Sequence, residues 1–481
     1  MALQLYNSLT QTLESVVPLE PGTLRLYACG VTVYDEAHLG HLRAAYLFEL
    51  LRRVCQAQGW QVTYVRNITD VDDKIIEKAR ATGATGEALN AACKKIADQY
   101  TKSYQDDLKR FGIPPPDREP KATEHLLQMV HLIKGLVAKG HAYVADGDVY
   151  FRVRSWPAYG RLSHQSVDAL RVGARIPEGE RKEDPLDFTL WKNSKPGEPA
   201  WESPWGLGRP GWHIECSAMS MTYLGESFDL HGGGRDLIFP HHENEIAQSE
   251  ASTGRPFVRT WVHSGLVTVG GQKMAKSLGN VVRAEELLAR HPNPDVLKLF
   301  FLMTHYSSPL DFTWEKLDEI AEAYNGFVIL FEQVEQEQLA HRNSSRTSAQ
   351  NEVADYVRRR LPELGKNFDE ALANNLNTPE AIAALFDLKM LAYMAKNSAN
   401  DISLAAQIVE DMRQRGKTLY LFTNFPAHRF SLNPEIQELI RRRNAARATK
   451  DFQESDRLRQ EIQQRGFIVE DTGGGTVCRP A

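Results

Sequence analysis

The sequence predicts an α/β protein: a parallel-sheet domain split by an insertion, then an α-helical bundle, then a small C-terminal module. Three observations predict it. Strand-like alternation near the N-terminus passes through a loop into helical periodicity. The α/β pattern lapses near Ile113 and returns at Gly211. Beyond Asn293, helical periodicity dominates.

With 481 residues, 42% of them hydrophobic and 25% charged, the chain can bury several cores, which argues against a single domain. A net charge of -5 excludes a uniformly basic nucleic-acid binder, so any RNA contact must rest on local patches. The five cysteines are odd in number and form no regular framework, which points to a reducing compartment. Glu14 and Glu20 precede the first arginine, Arg25, unlike a targeting peptide, and no apolar run is long enough to span a bilayer. The expected location is the cytoplasm.

The first strand falls at residues 24–28, and Leu39, Leu42, Tyr46, Leu50 and Val54 recur at helical spacing behind it. A second strand at 62–65 leads into a polar, acidic stretch at 66–73, where α/β sheets place ligands. Residues 73–111 read as helical until Pro114-Pro115-Pro116 closes them off. The insertion carries a helix at 124–139 and short strands at 142–144 and 149–153. Strands at 228–230 and 261–263, around a helix beginning near His241, resume the sheet. The polar stretch 338–350 reads as a loop, and a basic helical run at 434–464 as the last major element. The expected divisions are 1–112 and 211–265 for the two halves of the sheet domain, 113–210 for the insertion, 266–320 for a loop-rich region, 321–425 for the bundle and 426–481 for the terminal module.

Three constellations carry chemistry. His38, Gly40 and His41 stand where a helix begins, and a helix N-terminus offers unpaired N–H groups and partial positive charge to a phosphate. Lys273-Met274-Ala275-Lys276-Ser277 is a second cationic group, in a loop after the sheet. Cys29 and Cys216 have no CxxC neighbour, so each alone reads as a small buried hydrophobe. His241 and Glu245, four apart, share one helical face, and with the two thiolates at distant strand ends they make a zinc set of two sulfurs, one imidazole and one carboxylate. His242 and Glu243 point elsewhere and read as supports of that set.

The paired His38-Leu39-Gly40-His41 and Lys-x-x-Lys-Ser stretches resemble the signatures of class I aminoacyl-tRNA synthetases. Cys29-Gly-Val-Thr-Val-Tyr34, the run from Asn67 to Ile75, the run from Gly211 to Met219 and the run from His231 to Glu245 narrow the resemblance to bacterial cysteinyl-tRNA synthetases, almost end to end. The resemblance implies a Rossmann-like catalytic domain, an insertion near the acceptor end of tRNA, and an anticodon-binding module at 426–481. It implies that one zinc ion, held by Cys29, Cys216, His241 and Glu245, takes the thiolate of substrate L-cysteine, and that Thr69, Trp212 and His231 line the amino-acid pocket. It implies that His38, His41, Lys273 and Lys276 carry catalysis, with Gly40, Asp236 and Lys276 on ATP, and with Mg2+ and tRNA(Cys) as further partners of a monomer without membrane association.

Serine is nearly isosteric with cysteine, so shape discriminates them poorly, whereas a soft metal tests directly for sulfur. No further segment is large enough for an editing domain. The chain departs from the family pattern in two places: Ala275 replaces a serine, and the tail reads Gly475-Thr476-Val477-Cys478 where a tryptophan commonly comes shortly after the Gly-Thr pair. Trp156, Tyr159, Arg161 and His164, with Arg152 and Arg154, interleave aromatics and cations as RNA surfaces do. Two alternatives stand beside the synthetase: a ligase acylating an amino sugar with cysteine, as in the mycothiol pathway, and a non-catalytic zinc-dependent RNA-binding protein. The C-terminal extension disfavours the first, and the intact catalytic and ligand residues disfavour the second.

Overall fold

A computed structural model describes residues 2–171, 181–275, 278–341, 352–423, 434–472 and 475–480. The chain divides into two compact units. One comprises Met1–Ala321, Asn367–Ile382 and Thr418–Tyr420; the other comprises Glu322–Lys366, Ala383–Lys417 and Leu421–Ala481.

A four-stranded parallel sheet organises the first unit, in the order Val258–Ser264, Phe228–Gly234, Thr23–Thr32, Gln61–Thr69. The central strand Thr23–Thr32 begins with alternating burial, then buries Leu26, Tyr27 and Ala28 in succession, as a parallel strand covered on both faces must. The helix Leu39–Ala57 crosses from this strand to Gln61–Thr69. Its predicted stripe of Leu39, Leu42, Tyr46, Leu50 and Val54 is buried throughout.

The expected helix and short strands are present as Leu126–Ala138, Ala142–Ala145 and Asp148–Phe151, and two further strands join them. Ala142–Ala145, Asp148–Phe151, Phe188–Asn193 and Gly208–Pro210 form an antiparallel sheet in that order. A small third sheet follows the main one: Val267–Val269 pairs with Gln272–Lys273 and with Leu310–Phe312, the last a strand that helical periodicity had hidden.

Several expectations need correction. Residues 73–111 are two helices, Asp73–Arg80 and Glu87–Arg110, because Gly83 and Gly86 between them take φ of +83° and +56°. Cys216 lies in the helix Trp212–Leu224, not at a strand end. The run 434–464 is also two helices, Pro434–Ala448 and Phe452–Gln464: Lys450 at φ +61° turns the chain, and the Asp451 carboxylate caps the second by accepting from the Glu454 N–H at 3.1 Å.

In the second unit, Ile436, Leu439, Leu458, Ile462 and Val469 form the small core between that helix pair and the hairpin strand Phe467–Thr472. Residues 338–341 of the expected loop belong to the helix Trp314–His341, and 342–350 lie outside the described residues. No helix among the described residues is long and apolar enough to cross a membrane.

Candidate active site

The carboxyl ends of all four parallel strands point to one place, where a cavity of about 390 Å³ opens. Cys29, His38, Gly40, His41, Trp212, Asp236 and Lys273 line it. Thr69 and His231 are buried behind its wall. Lys276 lies outside the described residues.

Cys29, Cys216, His241 and Glu245 offer one ligand atom each, all within 4.8 Å of one another. Cys29 Sγ lies 3.7 Å from Cys216 Sγ and 3.4 Å from Glu245 Oε1, and His241 Nε2 lies 3.1 Å from the same oxygen. Three different elements supply these groups: the central strand, the helix Trp212–Leu224, and the turn Ile238–His242 running into the helix Glu243–Thr253. Cys29, His231, His242 and Glu245 form a second group that overlaps the first.

Neighbouring polar residues support the cluster. His231 Nε2 is 2.8 Å from Glu245 Oε2, and His213 Nδ1 is 3.0 Å from His241 Nδ1. His242 Nε2 is 3.2 Å from Cys29 Sγ, and its Nδ1 is 2.8 Å from His263 Nε2. Glu243 turns away and accepts backbone N–H groups of Gly160, Leu162 and Ser163 at 2.8–3.0 Å, fastening the insertion.

Burial holds His213, His231 and His242 far below the ordinary histidine range, so these rings are neutral. It also raises the Glu245 carboxyl and the Cys29 thiol. Cys216, accepting from the Cys29 thiol, is drawn down to about 7. Two thiols, a carboxyl and an imidazole crowded together out of water are poorly satisfied by one another, and a cation among them would remove that cost.

The wall beside Cys29 is built by a chain of hydrogen bonds. The Gly30 N–H donates to Asn67 Oδ1 at 2.9 Å, Asn67 Nδ2 to Thr69 Oγ1 at 3.2 Å, and Thr69 Oγ1 to Glu215 Oε2 at 2.9 Å. A Cβ at residue 30 would lie 1.6 Å from the Asn67 carbonyl oxygen, so only glycine permits this approach. Trp212 stacks on His241 with ring centroids 4.1 Å apart and remains 39% exposed, presenting an aromatic face to the cavity.

At the helix start, the rings of His38 and His41 stack with centroids 3.6 Å apart. His38 caps the helix, and its N–H donates to His41 Nδ1 at 3.4 Å, which places the ring hydrogen of a neutral His41 on Nε2. The segment following the lysine loop runs alongside: the Leu39 N–H reaches the Val282 carbonyl at 3.0 Å, and the Ala284 N–H that of Ala37 at 3.2 Å. The loop itself is stapled by Asn280, which accepts from the Ala275 N–H at 2.8 Å and donates to the Lys273 carbonyl at 3.1 Å.

Sequence reasoning missed Arg43, Glu215 and Asn280. Arg43 is 4% exposed, and its guanidinium donates to the carbonyls of Gly265 at 2.8 Å and Ser308 at 2.9 Å, tying together two loops at the cavity edge. Burial lowers its pKa to about 10. No local pattern announces such a residue, because its partners lie hundreds of positions away. The basic residues singled out in the insertion are ion-paired within the protein: Arg152 with Glu183, Arg154 with Asp184, and Arg161 with Glu250.

Residues 15–322 match the family model for the tRNA synthetases class I (C) catalytic domain, 367–423 that for the DALR domain, and 430–479 that for the cysteinyl-tRNA ligase anticodon binding domain. The cysteine–tRNA ligase of Halorhodospira halophila is 46% identical over 484 residues, covering 99% of both chains. That of Geobacter sulfurreducens is 43% identical over 496 residues, covering 100% of both. The chain belongs to the cysteine–tRNA ligase family. It is a class I synthetase, and its reaction is cysteinyl-tRNA ligation. The fold agrees with that of solved synthetases. Methionyl-tRNA synthetase of Mycobacterium tuberculosis, in complex with methionyl-adenylate, superposes with a TM-score of 0.66 at 14% identity, over 82% of this chain and 91% of that one. The leucyl enzyme of Agrobacterium radiobacter K84, in a ternary complex, gives 0.58 at 12% identity, over 84% and 86%. The clustered Cys, His and Glu side chains of this chain offer the ligand set of a metal site.

Proposed function

We propose that the enzyme activates L-cysteine with ATP in this cavity and transfers it to tRNA(Cys), with zinc held by Cys29, Cys216, His241 and Glu245. The spacing of those four side chains carries the proposal. A tetrahedral zinc site with Zn–S bonds of about 2.3 Å has a sulfur–sulfur edge of roughly 3.8 Å, and Cys29 and Cys216 stand 3.7 Å apart. In the overlapping group, His231 already holds Oε2 of Glu245, which leaves Oε1 to the first group and makes His231 and His242 its supports. When bound, zinc supplies a soft cationic anchor that favours a thiolate over a hydroxyl.

The carboxylate of cysteine attacks the α-phosphate of ATP, and pyrophosphate leaves. His38, His41, Lys273 and Lys276 neutralise the charge on the phosphates, with Mg2+ accompanying the triphosphate. Gly40 leaves room at the helix start, and Asp236 accepts from the ribose hydroxyls. A hydroxyl of the terminal ribose of tRNA then attacks the activated carbonyl, and AMP leaves. Trp212 closes the amino-acid side, while Thr69 and His231 act from behind the wall by holding Glu215 and Glu245. We extend the proposal to a cytoplasmic monomer divided as 1–112, 113–210, 211–265, 266–320, 321–425 and 426–481, the last module reading the anticodon. The match over 430–479 supports tRNA over an amino sugar as acceptor.

ATP–pyrophosphate exchange and aminoacylation, each with and without a strong chelator, test this. Both activities should require cysteine, fall on metal removal and return with zinc. Acylation of an amino sugar in place of tRNA, or no exchange at all from metal-replete protein, would overturn it.

A further inference from the structure

The strand order fixes an order along the cavity. Residues 264–267 and Asp236 stand at one end, Cys29 and Trp212 in the middle, and at the other end Arg66 on the edge strand Gln61–Thr69, Lys74 just after that strand and Tyr34 beside its carboxyl end. Activation of cysteine with ATP, as proposed above, makes no use of that last end.

Its cations are not equivalent. Arg66 is buried and neutralised by Glu119 at 2.8 Å. Lys74 and Lys78 lie one turn apart on the helix Asp73–Arg80. The Lys78 ammonium is committed to Asp35 at 3.2 Å and to the Tyr100 hydroxyl at 2.8 Å. Lys74 is exposed, lines the cavity, and places its ammonium 5.2 Å from the centroid of the Tyr34 ring. Among the described residues, Lys74 takes part in no ion pair; its charge favours the Asp72 carboxylate, whose Oδ1 accepts from the Lys74 backbone N–H as the helix cap. The loop beneath Tyr34 is anchored too, through Asp35 to Lys78 and through Glu36 to the Ser103 hydroxyl.

An aromatic face beside a cation, both on anchored supports at a cavity rim, matches what an unpaired nucleotide presents: a base to stack and a phosphate to neutralise. We propose that Tyr34 and Lys74 form the subsite for the terminal nucleotide of the tRNA, Tyr34 against its base and Lys74 on its phosphate. The proposal rests on the synthetase reading above and assigns the unused end of the cavity to the second step. Holding the terminal nucleotide there directs its ribose hydroxyl towards the middle of the cavity, where cysteine is activated.

The test separates the two steps. In Lys74→Ala, transfer of cysteine from preformed adenylate to tRNA should fall about tenfold or more, far more than ATP–pyrophosphate exchange, and Lys74→Arg should recover most of the loss. Removing the 3′-terminal adenosine from the tRNA should weaken binding to the unmodified enzyme about fivefold or more. That penalty should shrink in both Lys74→Ala and Tyr34→Ala. Exchange doubles as the control for folding. An equal fall in exchange and transfer, or a trimming penalty of full size in both variants, overturns the subsite. Absence of exchange from the unmodified enzyme would instead overturn the synthetase reading itself.

Discussion

Glu245 divides its carboxylate between two neighbours: Oε2 lies 2.8 Å from His231 Nε2, and Oε1 lies 3.4 Å from Cys29 Sγ. The second oxygen is thereby aimed into the cluster by a ring that never reaches the cavity. Losing such an outer partner typically weakens metal binding roughly 10–100-fold. His231→Ala should therefore lower zinc affinity by that order, read by competition with a chromogenic chelator. Unchanged affinity would remove His231 from the support of the site.

Cys216→Ser replaces a sulfur ligand with a hydroxyl that ionises far less readily. Zinc content and preference for cysteine over serine in pyrophosphate exchange should be lost together. A variant that keeps full zinc and full selectivity would separate the metal from substrate choice.

Asn280 holds the lysine loop through two hydrogen bonds, to the Ala275 N–H and the Lys273 carbonyl. Each is worth about 1 kcal/mol. Asn280→Ala should slow cysteine-dependent pyrophosphate exchange by roughly five- to thirtyfold and leave zinc content untouched. Unaltered exchange would show that the loop keeps its shape without the staple.

The buried histidines give the metal-free protein an acid-labile fold. Burial holds His263 at about 3 against an ordinary 6.5, and lowers His213, His231 and His242 in the same direction. The unfolded chain takes up protons that these folded rings refuse, so their contribution to stability is full above pH 6.5 and is lost as pH drops towards 3, while the raised Glu245 and Glu215 carboxyls contribute in the opposite direction. Each such histidine contributes a slope of up to about 1.4 kcal/mol per pH unit in that window. Denaturant unfolding of chelated protein from pH 7.5 to 5.5 should show His263→Asn losing less stability than the unmodified chain as pH falls. The same pH slope in His263→Asn as in the unmodified chain would contradict the neutral assignment.

Much of this architecture is legible in linear order because regular elements repeat their burial. The stripe of Leu39, Leu42, Tyr46, Leu50 and Val54 announces its helix, and the four-residue step from His241 to Glu245 announces a shared face. Breaks are harder to see. The Ala-, Lys- and Glu-rich composition around Gly83 and Gly86 masked a turn that only their positive φ requires. Cys216 is harder still, since the helix that carries it is buried on most of its surface and lacks an amphipathic stripe. Arg43 and Glu215 act through partners brought together by the sheet, Ser308 for one and Thr69 for the other, so no window of sequence contains either pair.

Zinc K-edge X-ray absorption with and without cysteine tests the central claim most directly. The account predicts two sulfur scatterers from Cys29 and Cys216 in the zinc-loaded enzyme, and a third on saturation with L-cysteine but not with L-serine. A sulfur count that stays at two with cysteine bound would contradict it.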